Sequence, residues 1–510
     1  MAFEVDRRLA VQMLALGAGS CPLLGYALPA WAAADSVTIG WPSDVPSWDP
    51  NQRFAPDAQP IYKLVFDQPL DQDPELALVP KLLTKWELAP DALSMTVDLR
   101  DDVTFHNGDK MTAEDFRYTF FERIKAGHKI DTANSWRNVA DIDVQSPTRA
   151  VMKFNSPATT APQWLAFLGS FVVPKKYMES AGIDGFLRKP VGTGPYQLVE
   201  YQLNSRIVLE RNDSYWGPKP KIRRVIIEII KDPSARVAAV QSGQVDLTVN
   251  VPVREVTRLG REPSLAAELN PITRVVLLQC RNDLGFADEN VRLAAHHAID
   301  KAALSKALYD GAAVPLSVEA TPGTVAYLDD FKFDFNPDLA KQLLAKSGFS
   351  LANPAPIRFA STNGQFPSDY DMARAIAQMW KKVGIQAELE TIEYSKYFEL
   401  NRGDKLPEAT LYSWDNATGD PELFAGYLLN PKMPFSAWKG AEVGDRILEL
   451  LKIADYGKRI AGYRDLNRFA VEKGATIPLL QSVQTMVRKK QLHYVKYQNG
   501  WILADKMDWT

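Results

Sequence analysis

The chain has 510 residues, 46% of them hydrophobic and 24% charged, with 59 Lys and Arg against 62 Asp and Glu. That length is too great for one core and calls for two or three lobes. The composition is that of a soluble globular protein, and a net charge of −3 supplies no basic field, which excludes nucleic acid as an expected partner.

The N-terminus comes first in chain order. Arg7 and Arg8 precede the apolar run LAVQMLALGAG, and small residues follow at Ala30, Ala32, Ala33 and Ala34. A charged n-region, an apolar h-region and a small-residue cleavage site make residues 1–34 a secretory signal peptide, with the arginine pair pointing to twin-arginine export. The surroundings of Cys21 make a poor lipid-attachment site, since a better cleavage site follows it. The expected mature chain then holds one cysteine, Cys280, at the end of the β-branched run TRVVLLQC, where a buried strand thiol is expected.

Residues 36–41, SVTIGW, alternate as a strand. In LSMTVDLRDDVTFHNGDKMTAEDFRYTFFERI, Met95, Val97 and Leu99 alternate as a half-buried strand, and Asn107-Gly108 suits a tight turn. Thr112 with Asp115 makes a capping box, and Phe116, Phe120 and Ile124 form the buried stripe of the helix that follows. His106, with no acid–base partner beside it, reads as structural. VGTGPYQLVEY joins a Gly/Pro turn to a strand, and SRIVLERNDSYWGPKPKIRRVIIEII continues it as two β-rich runs separated by a Trp-Gly-Pro turn. A helix is expected from Pro233 to near Gly243 and a short strand at VDLTV. ENVRLAAHHAIDKAALSKALYDG reads as one amphipathic helix stopped by Gly311; its adjacent His296 and His297 diverge by about 100° and are ill placed to share an ion. NPDLAKQLLAKSG is a helix between Asn336 and Gly348, IRFAS a strand, SDYDMARAIAQMWKKVG a helix ending at Gly384, and IQAELETIE a strand. Alternating strands and helices build α/β lobes.

Catalytic motifs are absent: no HExxH, GxSxG, P-loop or CxxC occurs, and the five histidines are scattered. Neither a cofactor nor a metal is expected. The stretch SWDNATGDPELF, residues 413–424, concentrates Asp415, Asp420 and Glu422 beside Trp414 in a loop broken by Gly419 and Pro421. Asp415 and Asp420 could serve an exported hydrolase as a carboxylate pair; a binding loop and a simple turn are the competing readings.

In this order, LRDDVTFHNGDKMTAEDF, GTGPYQLVEY, RNDSYWGPKPKIRRV, QSGQVDL, VRLAAHHAIDKAAL and NPDLAKQLLAKSGF resemble the blocks of the periplasmic solute-binding proteins of the oligopeptide/dipeptide family of ABC importers (family 5 extracellular solute-binding proteins). The resemblance covers nearly the whole mature chain. It implies an α/β, periplasmic-binding-protein-like fold: two hinged lobes plus an extra lobe inserted in the first. Mapped here, lobe I is 35–60, 185–272 and 481–510, the inserted lobe 61–184, and lobe II 273–480. It further implies a monomeric, non-enzymatic periplasmic receptor that closes on a peptide or other polar solute and docks on a membrane permease; the same fold could serve a chemosensory receptor. In peptide-binding relatives the loop matching SWDNATGDPELF carries an aspartate, four residues before its proline, that pairs with the ligand's amino terminus. Counting back from Pro421 reaches Ala417, with Asp415 two residues further on. Trp414, Asp415, Asn416 and Ala417 are therefore the expected ligand-facing residues, and Ala417 argues against a free-amine ligand. Asp420 is expected to cap or turn the segment.

Overall fold

A computed structural model of the protein describes residues 35–127, 130–433 and 436–510. The expected signal peptide, with Arg7, Arg8 and Cys21, lies outside the described residues. Ten strands share one sheet, in the order Ile385–Thr391, Ala355–Ser361, Ala409–Asp415, Leu265–Cys280, Thr476–Lys489, Leu247–Val249, Ser36–Trp41, Arg224–Ile229, Arg206–Arg211 and Tyr196–Gln202. Ser36–Trp41 runs parallel to both its neighbours, as does Ala355–Ser361 at the other end. Helices join these parallel strands, so the alternation read in the sequence does build a mixed α/β architecture.

The two central strands belong to both ends of the sheet. Leu265–Cys280 has 16 residues and Thr476–Lys489 has 14. They pair antiparallel from Leu265 with Lys489 to Gln279 with Thr476, but midway the partners jump from Pro271–Val483 to Val275–Gln481. Pro271 has no N–H to give the ladder. Thr273 N donates outside it, to Gln498 O on the C-terminal segment, at 2.8 Å. Separate cores sit on the two sides of this slip. One includes Val276, Leu278, Val291, Phe359, Ile376 and Trp380. The other includes Val37, Ile39, Tyr62, Phe66, Phe171 and Val225. A third, with Met95, Val97, Phe116 and Met152, lies on an antiparallel sheet of four strands ordered Leu83–Leu88, Ser94–Leu99, Arg149–Phe154, Val139–Ser146.

Local expectations mostly hold. Thr112 and Asp115 form the reciprocal capping box, and Gly108 takes the positive φ of +87° that its turn needs. The stripe on the helix that follows departs from the expected one. Tyr118–Glu122 is a π-helical turn, and its extra residue rotates everything beyond it by about 100°. Phe116 and Phe120 are buried, but Arg123 takes the next inward place and Ile124 is only half-buried. Arg123 Nη2 lies 2.5 Å from Asp49 Oδ2, both side chains fully enclosed. The segment expected as one helix up to Gly311 is two, Glu289–His297 and Lys301–Tyr309. Asp300 stands between them and accepts from Ala303 N at 2.9 Å. An N-cap in mid-pattern restarts the helix without disturbing its apolar period, which is why periodicity missed it. His296 and His297 both stack on Phe333, at 3.6 and 4.3 Å between ring centres.

Candidate functional site

Strand Ala409–Asp415 lies against Leu265–Cys280 and delivers Asp415 opposite Arg274, at the edge of the ladder slip. Arg274 Nη2 is 3.9 Å from Asp415 Oδ2. Asp415 Oδ1 is enclosed and has no hydrogen-bond partner among the described residues. Burial raises the pKa of this carboxyl; Arg274 works against the rise and Asp57 adds to it. An enclosed acid with one long ion pair and one bare oxygen is suited to receive a hydrogen-bond donor.

Its neighbours in the loop do different work. Trp414 Nε1 donates to Leu423 O at 3.0 Å. Its half-exposed ring lies 6.2 Å from Tyr427, which in turn lies 6.0 Å from Trp164, far away in the chain. Asn416 builds the turn: its carbonyl accepts from Gly419 N at 3.1 Å and its Oδ1 from Thr418 Oγ1 at 3.4 Å. Ala417 is buried in an apolar cluster with Leu423 and with Phe167 and Leu168. A methyl group therefore fills the place where the resemblance implies an acid in peptide-binding relatives, and residues 164–168 meet it from across the interface. The four expected ligand-facing residues thus lie at one end of the strand Ala409–Asp415, and they turn two polar groups, one aromatic face and one methyl toward different neighbours.

Asp420 and Asp415 do not form a carboxylate pair. Asp420 accepts both guanidinium nitrogens of Arg459, at 2.9 and 2.5 Å, with both side chains almost wholly buried. Its Oδ1 also accepts from Glu422 N at 3.0 Å, the turn role expected of it. A carboxylate held from three sides is not available as a general acid or base, and the hydrolase reading loses its second group. Glu422 accepts from Tyr463 Oη, and burial pushes its pKa up to about 8. Arg459 and Tyr463 sit four residues apart on helix Tyr456–Glu472, so one helix face holds Asp420 and Glu422.

His106 is structural, as read. Gly192 N donates to its Nδ1 at 3.3 Å, which leaves Nε2 to carry the proton to Gly194 O at 3.0 Å. Burial lowers its pKa to about 4 and keeps it neutral. The ring staples the HNG turn to the GTGPY turn. Cys280 is buried, and its thiol pKa is pushed up to about 12. Sequence reasoning missed Trp164, Phe167, Leu168, Tyr427, Arg274 and Arg459. The run APQWLAFLGSF was visibly apolar, but nothing in a linear pattern shows which lobe it will face.

A sheet whose central strands thread both halves, with a loop of one half pressed against an aromatic wall of another lobe, defines the hinged, lobed architecture of solute-capturing proteins. The chain belongs to the bacterial extracellular solute-binding proteins, family 5, whose model ("family 5 Middle") matches residues 77–433. It is similar to the nickel-binding periplasmic protein of Escherichia coli, at 26% identity over 91% of this chain and 93% of that one. The dipeptide-binding protein of the same organism is 26% identical over 82% of this chain and 84% of the relative. Among solved structures, NikA from Brucella suis in complex with Fe(III)-EDTA superposes with a TM-score of 0.82 at 22% identity, covering 93% of this chain and all of that one (100%). DppA from Helicobacter pylori in complex with peptide STSA gives 0.80 at 21% identity, covering 93% and 98%.

Proposed function

We propose that this protein is a periplasmic receptor that captures a small polar solute between its lobes by hinge closure and passes it to the membrane permease of an ABC importer. The observation that carries this reading is the slip at Pro271–Val275 in the two strands shared by both halves. A ladder interrupted at one level, with a separate core on each side, is where the halves can rotate without either core being remade. Relatives named for nickel, dipeptide, heme and glutathione belong with this chain, so the ligand class has to come from its own residues. Trp414 supplies a desolvating wall, Asp415 a hydrogen-bond acceptor, and Asn416 and Ala417 the shape of the loop between them. A short peptide or another polar solute fits this set, with Asp415 in place of an acid at Ala417 as the group that orients it. The receptor acts as a monomer, with no cofactor and no catalysis of its own. Its lobes divide as 35–60, 185–272 and 481–510; 61–184; and 273–480, with helix Gln59–Val65 docked on the first lobe's core. Among the described residues no helix is long and apolar enough to cross a membrane.

Native mass spectrometry of protein taken from its periplasm tests the proposal. One small molecule should travel with the folded chain and be released on unfolding. Turnover of peptides or glycosides that depends on Asp415 would overturn the receptor reading.

A further inference from the structure

The hairpin Leu70–Gln72/Leu78–Pro80 ends in a tip whose most unusual residue is Leu76. Leu76 has a φ of +68°, a left-handed conformation that glycine or asparagine adopts at far lower cost than leucine. Its neighbours Glu75 and Ala77 are exposed, yet Leu76 is only 7% exposed, and it joins none of the three cores described above. What covers it is the loop of the opposite lobe. A Cβ placed on Gly419 would lie 3.4 Å from Leu76 Cβ and 4.0 Å from its Cδ1. Gly419 itself has a φ of +71°, so two left-handed residues, one from each lobe, meet face to face.

This contact is tied to the hinge. Gln498 N donates to Pro74 O at the hairpin tip, at 2.9 Å, and Gln498 O accepts from Thr273 N within the ladder slip, at 2.8 Å. Gln484 Nε2, on the other hinge strand, donates to Gly500 O at 2.6 Å. The C-terminal segment is thus a short strap between hinge and tip. Beside it, Phe167 and Leu168 close on Ala417 and Leu423.

We propose that Leu76 seated on Gly419 is a clasp built from the protein alone, which holds this end of the cleft closed without a charged ligand group at the loop. The inference rests on the closing-cleft reading given above and sharpens it. With the methyl of Ala417 packed among apolar side chains beside it, an apolar contact made by the chain supplies that part of the closing energy. Ligands lacking a free amine are then acceptable at this end, because the loop is gripped by Leu76.

The test measures the distance between spin labels at Leu203→Cys and Leu351→Cys, both exposed, in protein unfolded and refolded to strip any solute. The buried Cys280 thiol stays unlabelled. Leu76→Gly and Leu76→Asn both accept the left-handed backbone, so relieved strain offsets lost packing and both should keep a single cooperative thermal transition. Both remove the seat, and each should raise the open-to-closed ratio about tenfold, the factor expected for uncovering one leucine. Gly419→Val, strained and crowded against Leu76, should do the same. Proportions indifferent to all three variants, or a wild-type chain open throughout, would overturn the clasp. One narrow distance shared by every variant would instead overturn the hinged-cleft reading itself.

Discussion

At the scale of single residues, the two aspartates of the loop separate cleanly. Asp420→Ala leaves the enclosed Arg459 guanidinium without its carboxylate, and an unpaired buried charge of that kind costs about 3–5 kcal/mol. Urea titration should show that loss directly. Asp415→Ala removes an acid whose one ion pair among the described residues is long and whose Oδ1 has no partner among them. Its denaturation midpoint should stay within about 0.5 kcal/mol of wild type, while its affinity for the co-purified solute falls at least about tenfold, as for loss of one charge-assisted hydrogen bond. Equal effects of the two substitutions on stability, with affinity intact, would return Asp415 to a scaffold role. A second residue-scale prediction concerns Glu319, almost wholly buried, with neither carboxyl oxygen hydrogen-bonded among the described residues. Burial pushes its pKa up to about 8. The folded state therefore favours the protonated acid: its contribution is complete below the unfolded value near 4.5 and is lost as pH rises through about 8. Lys301, whose Nζ donates to Leu316 O and meets His296 Nε2, is lowered to about 7 by burial and shifts stability the opposite way only above that pH. Between about pH 5 and 7 the thermal midpoint of wild type should thus fall more steeply than that of Glu319→Gln. Parallel curves would contradict the assignment.

At the scale of elements, the sequence was most legible where local chemistry and burial agree. The strand of Met95, Val97 and Leu99, the Asn107-Gly108 turn and the Thr112–Asp115 box could each be read from a handful of neighbours, because each is stabilised by those neighbours. Thr112→Ala should cost about 1 kcal/mol on that account, measured by chemical denaturation. Legibility failed where a backbone irregularity changes the phase. The π-helical turn at Tyr118–Glu122 moves Arg123 inward, and the Asp300 cap restarts a helix, yet neither leaves a mark on the apolar period. It failed again at the site. Trp414 to Ala417 could be picked out as one loop, but their partners Phe167, Leu168 and Arg274 lie far away in the chain, and only the fold brings them together. The glycines of GTGPY show the same division. They read as a turn, whereas their tightest constraint is tertiary: a Cβ on Gly192 would stand 2.0 Å from Val65 O. Gly192→Ala should therefore destabilise by about 4 kcal/mol or more, or yield no soluble protein, since backbone cannot move aside as a side chain can.

At the scale of the whole molecule, three cores are linked by unequal means. The core on the four-stranded sheet has strands of its own. The other two are bridged by Thr476–Lys489, which gives Leu479, Leu480 and Val483 to one and Met486 to the other and pairs with Leu265–Cys280 along its length. Pulling Thr476–Lys489 out of one core removes it from the other, so the two should unfold as one cooperative unit. Hydrogen exchange should report a single opening free energy for amides on both sides of the slip, among them Leu269 and Leu278. Two well-separated values would mean that the shared strands do not couple the halves.

Those shared strands also determine how the gene can be cut. Lobes of most multidomain chains can be expressed as pieces, because a boundary falls in a linker. Here any cut near residue 272 or 482 severs a strand midway and leaves each fragment with a raw, unpaired edge of the kind that drives aggregation. Stand-alone lobes are therefore the wrong reagents for ligand screening. A circular permutant opened at an exposed turn such as that around Asn204, with the natural termini joined, keeps both strands whole and is the rearrangement this fold should tolerate.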